Sequence, residues 1–260
     1  MTRVFIMGDL HGQLDKVIAN LRHAELLDPS LAWSGHDATL CFMGDYFDRG
    51  PDGIGCVNLV MRLQREAAAA GGQVIALMGN HEPLLLAARL FGDEPLSASV
   101  GTFRRNWERN GGRESDLVGL TSAHVAWISA LPAVATLRRR LLIHADALFY
   151  SELGDSVQTI NQTMASMLTS DEPWVWEELF YVFSDRLAFF SDPQIGRAFA
   201  LELLARFDCD QIIHGHTPIP YMSGRAPTEV TGAFVYAGGL CVNVDGGMYM
   251  GGPGFVYELP

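Results

Sequence analysis

The segment Gly44-Asp45-Tyr46-Phe47-Asp48-Arg49-Gly50 places two aspartates and an arginine within five residues, directly after the apolar run 39–43. Carboxylates crowded at the tip of a buried strand repel one another and lose hydration, unless a positive charge faces them. The same pattern recurs along the chain. Gly8-Asp9-Leu10-His11-Gly12 follows the apolar run 4–7, and Gly79-Asn80-His81-Glu82 follows the run 74–78. Later come His144-Ala145-Asp146 and His214-Gly215-His216-Thr217. Each pairs a ligand-type residue with a small neighbour, which lets the backbone turn sharply and approach a ligand closely. A lone Asp or Asn after a strand is usually a turn former or a helix cap. Carboxylates and imidazoles gathered from several strand ends need a cation instead. The histidines divide accordingly: His11, His81, His144, His214 and His216 lie at these ends. His23, His36 and His124 do not, and read as surface or packing residues.

The elements that must carry these residues can be read from periodicity. Short apolar runs predict strands over 4–7, 39–43, 74–78, 141–144 and 211–214. Helical spacing predicts helices over 14–22, 54–70, 82–90, 157–168 and 195–207. Strands alternating with helices imply a mainly parallel sheet covered on both faces, with its ligand crevice at the carboxyl ends of the strands. The runs 234–237, 241–244 and 255–259 are separated by glycine clusters and suggest antiparallel strands. Between 92 and 121 the pattern loosens around Arg104, Arg105, Trp107, Arg109 and Arg113. This stretch reads as a cap-like helical insertion in a single domain spanning 1–260.

Composition narrows the function classes. The 260 residues are 48% hydrophobic, enough to bury a large core, and carry a formal charge of −12. An acidic balance argues against nucleic acid, whose phosphates need a basic surface. No apolar run reaches the roughly 18 to 20 residues of a membrane span, so no membrane partner is expected. Cys41, Cys56, Cys209 and Cys241 form no CxxC pair and sit among apolar residues, as core thiols of a reducing compartment do. With a strand starting almost at the first residue and no signal peptide, the expected location is cytoplasmic.

In order and rough spacing, GDLHG, GDYFDRG, GNHE, HAD and GHTP resemble the motifs of the calcineurin-like metallophosphoesterases, and more narrowly their phosphoprotein phosphatase branch. The motifs run from residue 8 to 218. The resemblance implies an α/β layered sandwich of central mixed sheets flanked by helices, and a site for two divalent metals. It assigns Asp9 and His11 to the first metal, Asp45 to both, and Asn80, His144 and His216 to the second. Mixed oxygen and nitrogen ligands suit Mn or Fe, with Zn possible. His81 is implied as the acid that protonates the leaving group, with Asp48 orienting it. Arg49 is implied to grip the phosphate through its planar fork, and Asn80 to border the substrate as well.

The resemblance implies hydrolysis of a phosphomonoester by a metal-activated water. The substrate would be a phosphorylated protein or peptide, or a small phosphoester. Dinucleoside polyphosphates such as diadenosine tetraphosphate are the alternative substrate class, and a non-catalytic metal-binding scaffold is the remote one. Where the wider superfamily often has a second histidine after His216, this chain has Pro218. That leaves the first metal with fewer protein ligands. The second phosphate-gripping arginine is poorly marked: Arg186 is the first choice, while Arg104, Arg105 and Arg109 are rivals for a remote phosphate. His214 is expected behind the ligands, and Asp146 either behind them or opening a turn.

Overall fold

The computed structural model describes residues 2–96 and 101–260. The chain runs β1 (Val4–Met7), α1 (Leu14–His23), β2 (Thr39–Phe42), α2 (Gly53–Ala69), β3 (Gln73–Ala76) and α3 (His81–Phe91). It continues through α4 (Phe103–Arg109), α5 (Glu114–Gly119), α6 (Ser122–Ser129), β4 (Val134–Leu137), β5 (Arg140–Ile143), α7 (Tyr150–Leu153) and α8 (Val157–Met167). It ends with α9 (Pro173–Phe183), α10 (Pro193–Arg206), β6 (Gln211–His214), α11 (Ile219–Ser223), β7 (Phe234–Tyr236), β8 (Cys241–Asn243) and β9 (Tyr257–Glu258).

The strands form two mixed sheets, ordered β3-β2-β1-β9 and β4-β5-β6-β8-β7. These are the mixed sheets that the resemblance implies; the mainly parallel sheet read from periodicity is corrected, and the reason lies in the period-2 alternation of strands that are apolar on both faces. Val4 and Ile6 of β1 and Cys41 of β2 meet Leu142, Ile213 and Val242 of the second sheet in one buried layer. Phe5, Met7, Leu40 and Phe42 point the other way, into a core shared with the helices. Helix α2 shows how the outer layer is built. Asp52 caps it, accepting Gly55 N at 2.7 Å, and Cys56, Val60, Leu63 and Ala67 recur on its buried face.

Register places the tips. Met7 lies opposite Phe42, and Phe42 opposite Ala76, all in parallel pairs. The residues that follow therefore leave the first sheet at one edge. In the second sheet Leu142 lies opposite Ile213, and Ile213 opposite Val242, again in parallel. Strand β8 is thus parallel to β6 on one side and antiparallel to β7 on the other, and β9 is antiparallel to β1, so the expected antiparallel pairings are present with one parallel pairing beside them. Of the stretch 92–121, residues 97–100 lie outside the described residues. The rest holds α4 and α5 joined by a turn, and Phe103 and Trp107 are fully buried in the main core. No helix among the described residues is long and apolar enough to cross a membrane, and the four cysteines are buried and unpaired.

Candidate metal centre

Several residues at the strand tips adopt left-handed backbone conformations although they are not glycine: His11 (φ 41°), Asp45 (53°), Asp48 (67°), Arg49 (62°) and His216 (65°). Each costs on the order of 1–3 kcal/mol, and such outliers concentrate at functional sites. Hydrogen bonds hold them in place. The buried Glu82 carboxylate accepts from Asp45 N at 3.0 Å, Tyr46 N at 2.8 Å and Gly79 N at 2.7 Å, which joins the second and third tips. Asp45 O accepts from Leu10 N and His11 N, joining the first. Gly44 is required where it stands: its φ is +107°, and a Cβ there would lie 2.4 Å from Gly79 N.

Asp45 is the centre of the cluster. Its carboxylate oxygens lie 3.5 Å from His11 Nε2, 3.4 Å from His144 Nε2 and 4.0 Å from His81 Nε2. Among the described residues, Asp45 shares one potential metal-holding group with His11 and His81 and another with His144 and His216. Asp9 adjoins the first group, with Oδ2 4.0 Å from His11 Nε2. Both its oxygens also accept from His216 N, at 3.0 and 3.1 Å. Gly215 permits this approach, since a Cβ there would lie 2.3 Å from Asp9 Oδ1.

Proton placement decides whether these atoms can bind a cation. His11 Nδ1 faces Phe47 O at 3.0 Å and His144 Nδ1 faces Met43 O at 2.8 Å. A carbonyl only accepts, so each Nδ1 carries the proton and each Nε2 keeps its lone pair. Burial lowers the basicity of His11 and Arg49 lowers it further; burial likewise lowers that of His144. His144 Nε2 then points its lone pair at Asp45 Oδ1 and at Asn80 Oδ1, 3.1 Å away, so that acceptors converge on acceptors. His216 Nδ1 lies 2.9 Å from the same Asn80 oxygen, and its buried Nε2 has no hydrogen-bond partner. Burial, His144 and the Arg186 guanidinium all lower the basicity of His216. Converging acceptors and an orphaned imidazole nitrogen are what a cation would satisfy.

Beside this cluster lies a second arrangement. His81 Nδ1 donates to Asp48 Oδ2 at 2.7 Å, and the other Asp48 oxygen accepts the indole N–H of Trp107 at 2.8 Å. Arg49 donates to His11 Nε2 at 2.7 Å and to His81 Nε2 at 2.9 Å. Its guanidinium carbon lies 4.3 Å from the centroid of the Tyr249 ring. The guanidinium is the positive charge nearest both imidazoles, and it must leave His11 Nε2 before that nitrogen can bind a cation and His81 Nε2 before that nitrogen can carry a proton.

The remaining sequence candidates are placed as follows. His214 is buried, with Nδ1 3.0 Å from Gly215 O and Nε2 2.8 Å from Tyr236 OH, so its ring is occupied away from the cluster. Asp146 accepts Thr217 Oγ1 at 2.6 Å and Leu187 N at 2.8 Å, tying the His216 loop to the turn that carries the exposed Arg186. Arg104 pairs with Glu108 and Glu114. Sequence reasoning assigned no role to Glu82, Trp107 or Asp245. Glu82 stood inside a recognised motif. Asp245 carried a visible signal too, an acid between an apolar run and two glycines. Trp107 carried none.

A family model described as calcineurin-like phosphoesterase matches residues 2–220. The chain is similar to Shewanella-like protein phosphatase 1 of Plasmodium berghei, 38% identical over 84 residues, which span 32% of this chain and 23% of that protein. It is similar to serine/threonine-protein phosphatase 1 of Salmonella typhimurium, 33% identical over 128 residues, which span 49% of this chain and 46% of that one. The fold is similar to that of a cold-active protein-tyrosine phosphatase of a psychrophilic Shewanella species. There the TM-score is 0.73 at 21% identity, covering 100% of this chain and 75% of that one.

Proposed function

The chain belongs to the calcineurin-like phosphoesterase family, and from that premise we propose that it is a metal-dependent phosphomonoesterase acting on phosphoserine and phosphothreonine in proteins or peptides. The observation that carries the proposal is the convergence of lone pairs around Asp45 beside the Trp107–Asp48–His81 chain. Asp9, His11 and Asp45 would hold one divalent cation, and Asp45, Asn80, His144 and His216 the other, with Mn or Fe suited to the mixed donors and Zn possible. When bound, the pair polarises the phosphoryl group and supplies an activated water.

The protein's own groups do the rest. Arg49, once released from the imidazoles, grips phosphate oxygens through its fork, and Arg186 approaches from the His216 side. His81 in its protonated form gives its Nε2 proton to the leaving oxygen, while Asp48 stabilises the imidazolium through Nδ1. Trp107 holds Asp48 in place. An alkoxide from serine or threonine needs that proton more than a phenolate does, because a tyrosine hydroxyl has a pKa near 10.

Dinucleoside polyphosphates are the weaker reading, since a longer phosphate chain needs further cations and Arg104 is already paired with two glutamates. We read 1–260 as one domain, because Phe103 and Trp107 of the 92–121 stretch lie in its core. The acidic charge of −12 disfavours nucleic acid, and four buried free thiols suit a reducing compartment such as the cytoplasm. The test is kcat/KM with added Mn²⁺ across phosphoserine, phosphothreonine and phosphotyrosine peptides, nitrophenyl phosphate and diadenosine tetraphosphate. The expected outcome is metal-dependent turnover of the peptides, with both activity and metal content lost in Asp45→Asn. A preference for diadenosine tetraphosphate over every phosphopeptide would move the assignment to the nucleotide class.

A further inference from the structure

Among the described residues, the roles assigned above leave two buried carboxylates unused: Asp116, whose oxygens accept from Asp48 N and Gly53 N, and Asp245. Strand β8 lies parallel to β6 with Asn243 opposite His214, and Val244 N donates to His214 O at 2.9 Å. The chain thereby delivers Asp245 to the edge where β6 delivers Gly215 and His216. Asp245 is only 1% exposed. Its Oδ1 accepts Gly247 N at 2.9 Å, and its backbone N donates to Asn243 Oδ1 at 2.8 Å. Its Oδ2 is buried and has no hydrogen-bond partner.

The first sheet closes directly onto this turn. A Cβ on Gly8 would lie 2.2 Å from Val244 O and 3.0 Å from Asp245 Cα, so Asp9 leaves β1 beside Asp245. An orphaned oxygen next to another buried acid is costly on its own account, and a bound cation with its water would relieve both.

We propose that Asp245 is a positioning residue for the cation held by Asp9 and His11, its Oδ2 accepting a hydrogen bond from a water on that ion. This rests on the two-cation reading above. It supplies the poorer side of the site, with three protein ligands against four, with an additional anionic contact. Among the described residues, Asp245 belongs to neither of the two groups of donors that centre on Asp45, so its proposed contact is with a water on the ion and not with the ion itself.

The experiment is Mn²⁺ titration of chelator-stripped protein by calorimetry, with melting temperatures read metal-free and metal-loaded. Asp245→Asn keeps the shape and the bond to Gly247 while removing the charge. The affected binding event is identified by comparison with Asp9→Asn, and the other with Asn80→Ala. Asp245→Asn is expected to weaken the event lost in Asp9→Asn by about 10 to 100-fold, the usual range for groups that support metal ligands. The event weakened in Asn80→Ala should be preserved. Metal-free Asp245→Asn should melt at or above the wild-type temperature, because a buried charge beside Asp9 has gone. Wild-type Mn²⁺ binding in Asp245→Asn, or a lower metal-free melting temperature with binding intact, would mark Asp245 as a turn anchor and overturn the proposal. Wild-type binding in Asp45→Asn would instead remove the two-cation reading beneath it.

Discussion

The turn carrying Arg49 and the turn carrying Arg186 reach the same cluster by different means. Residues 44–50 are buried except for Arg49 itself. Their backbone is fixed from several directions: by Glu82, by the Asp116 carboxylate on Asp48 N at 3.0 Å, and by Gly111 O on Arg49 N at 2.8 Å. Residues 184–186 are exposed, and Arg186 bonds locally, through its backbone N to Asp185 and its Nε to Ser184 O at 3.4 Å. One long-range carboxylate, Asp146, holds the following residue. The difference lies in when ordering is paid for. In the first turn, folding has already met that cost. In the second, much of it falls due on binding, at roughly 0.5–1.5 kcal/mol for an immobilised long side chain. Groups on the 44–50 turn should therefore dominate the rate, and groups on 184–187 should adjust it.

The largest expected effect tests the group that the fixed turn positions. His81→Asn should lower turnover of a phosphoserine peptide by about 10² to 10⁴-fold, the range for general acid catalysis. Nitrophenyl phosphate should lose much less, because its leaving group needs little protonation. Equal losses on the two substrates would make His81 a structural element of the turn.

Next come the arginines themselves. Arg49→Ala should cost about 10² to 10³-fold in kcat, as removal of a preorganised donor to a developing anion does. Arg186→Ala should stay within about tenfold, equivalent to about 1.4 kcal/mol, and should act mostly on KM. If Arg186→Ala proved the more damaging, preorganisation of the turn would not be what ranks these residues.

The same contrast explains what the sequence revealed. Strands β1, β2 and β3 and the tips after them were legible because period, glycine and acid follow one another within a few residues. Helix α2 was legible because Cys56, Val60 and Leu63 keep helical spacing. Strand β4 and helix α9 were not. Val134–Leu137 alternates only weakly in burial, and α9 carries Trp174 and Tyr181 exposed among its apolar residues, which blurs its stripe. Two separate sheets followed from the family resemblance and not from periodicity, because strands apolar on both faces look alike whether they face helices or another sheet. Arg104 read as a free cation for substrate, although Glu108 stands four residues on, at the spacing that pairs on a helix. Its second partner, Glu114, depends on the turn between two helices. Asp245 stood in plain view after an apolar run, but its meaning depends on β8 lying parallel to β6, which is a matter of topology.

The smallest expected effect tests the point where the unreadable stretch touches the readable one. Trp107 lies 59 positions from Asp48, so no local pattern connects them, yet its indole N–H is the donor to Asp48 Oδ1. Its ring packs so closely that a Cβ on Gly112 would come within 2.3 Å of it. Trp107→Phe keeps a buried aromatic ring but leaves a carboxylate oxygen without its donor, which costs about 1–3 kcal/mol of stability. If the indole only supports folding, that loss is the whole effect, and turnover per folded molecule is unchanged on every substrate. If it holds Asp48 for His81, turnover of phosphoserine peptide falls by about tenfold, near the lower end for supporting groups, while nitrophenyl phosphate turnover and KM hold. Trp127→Phe provides the control for loss of an indole hydrogen bond: its indole donates to Gln64 at 2.8 Å, and the edge-on packing of its ring against Tyr46 is kept by the phenyl ring. It should lower the melting temperature without changing the ratio of peptide to nitrophenyl phosphate turnover. A shared shift of that ratio in both variants would mean general loosening of the core, whereas a shift confined to Trp107→Phe would make the insertion part of the proton-transfer machinery.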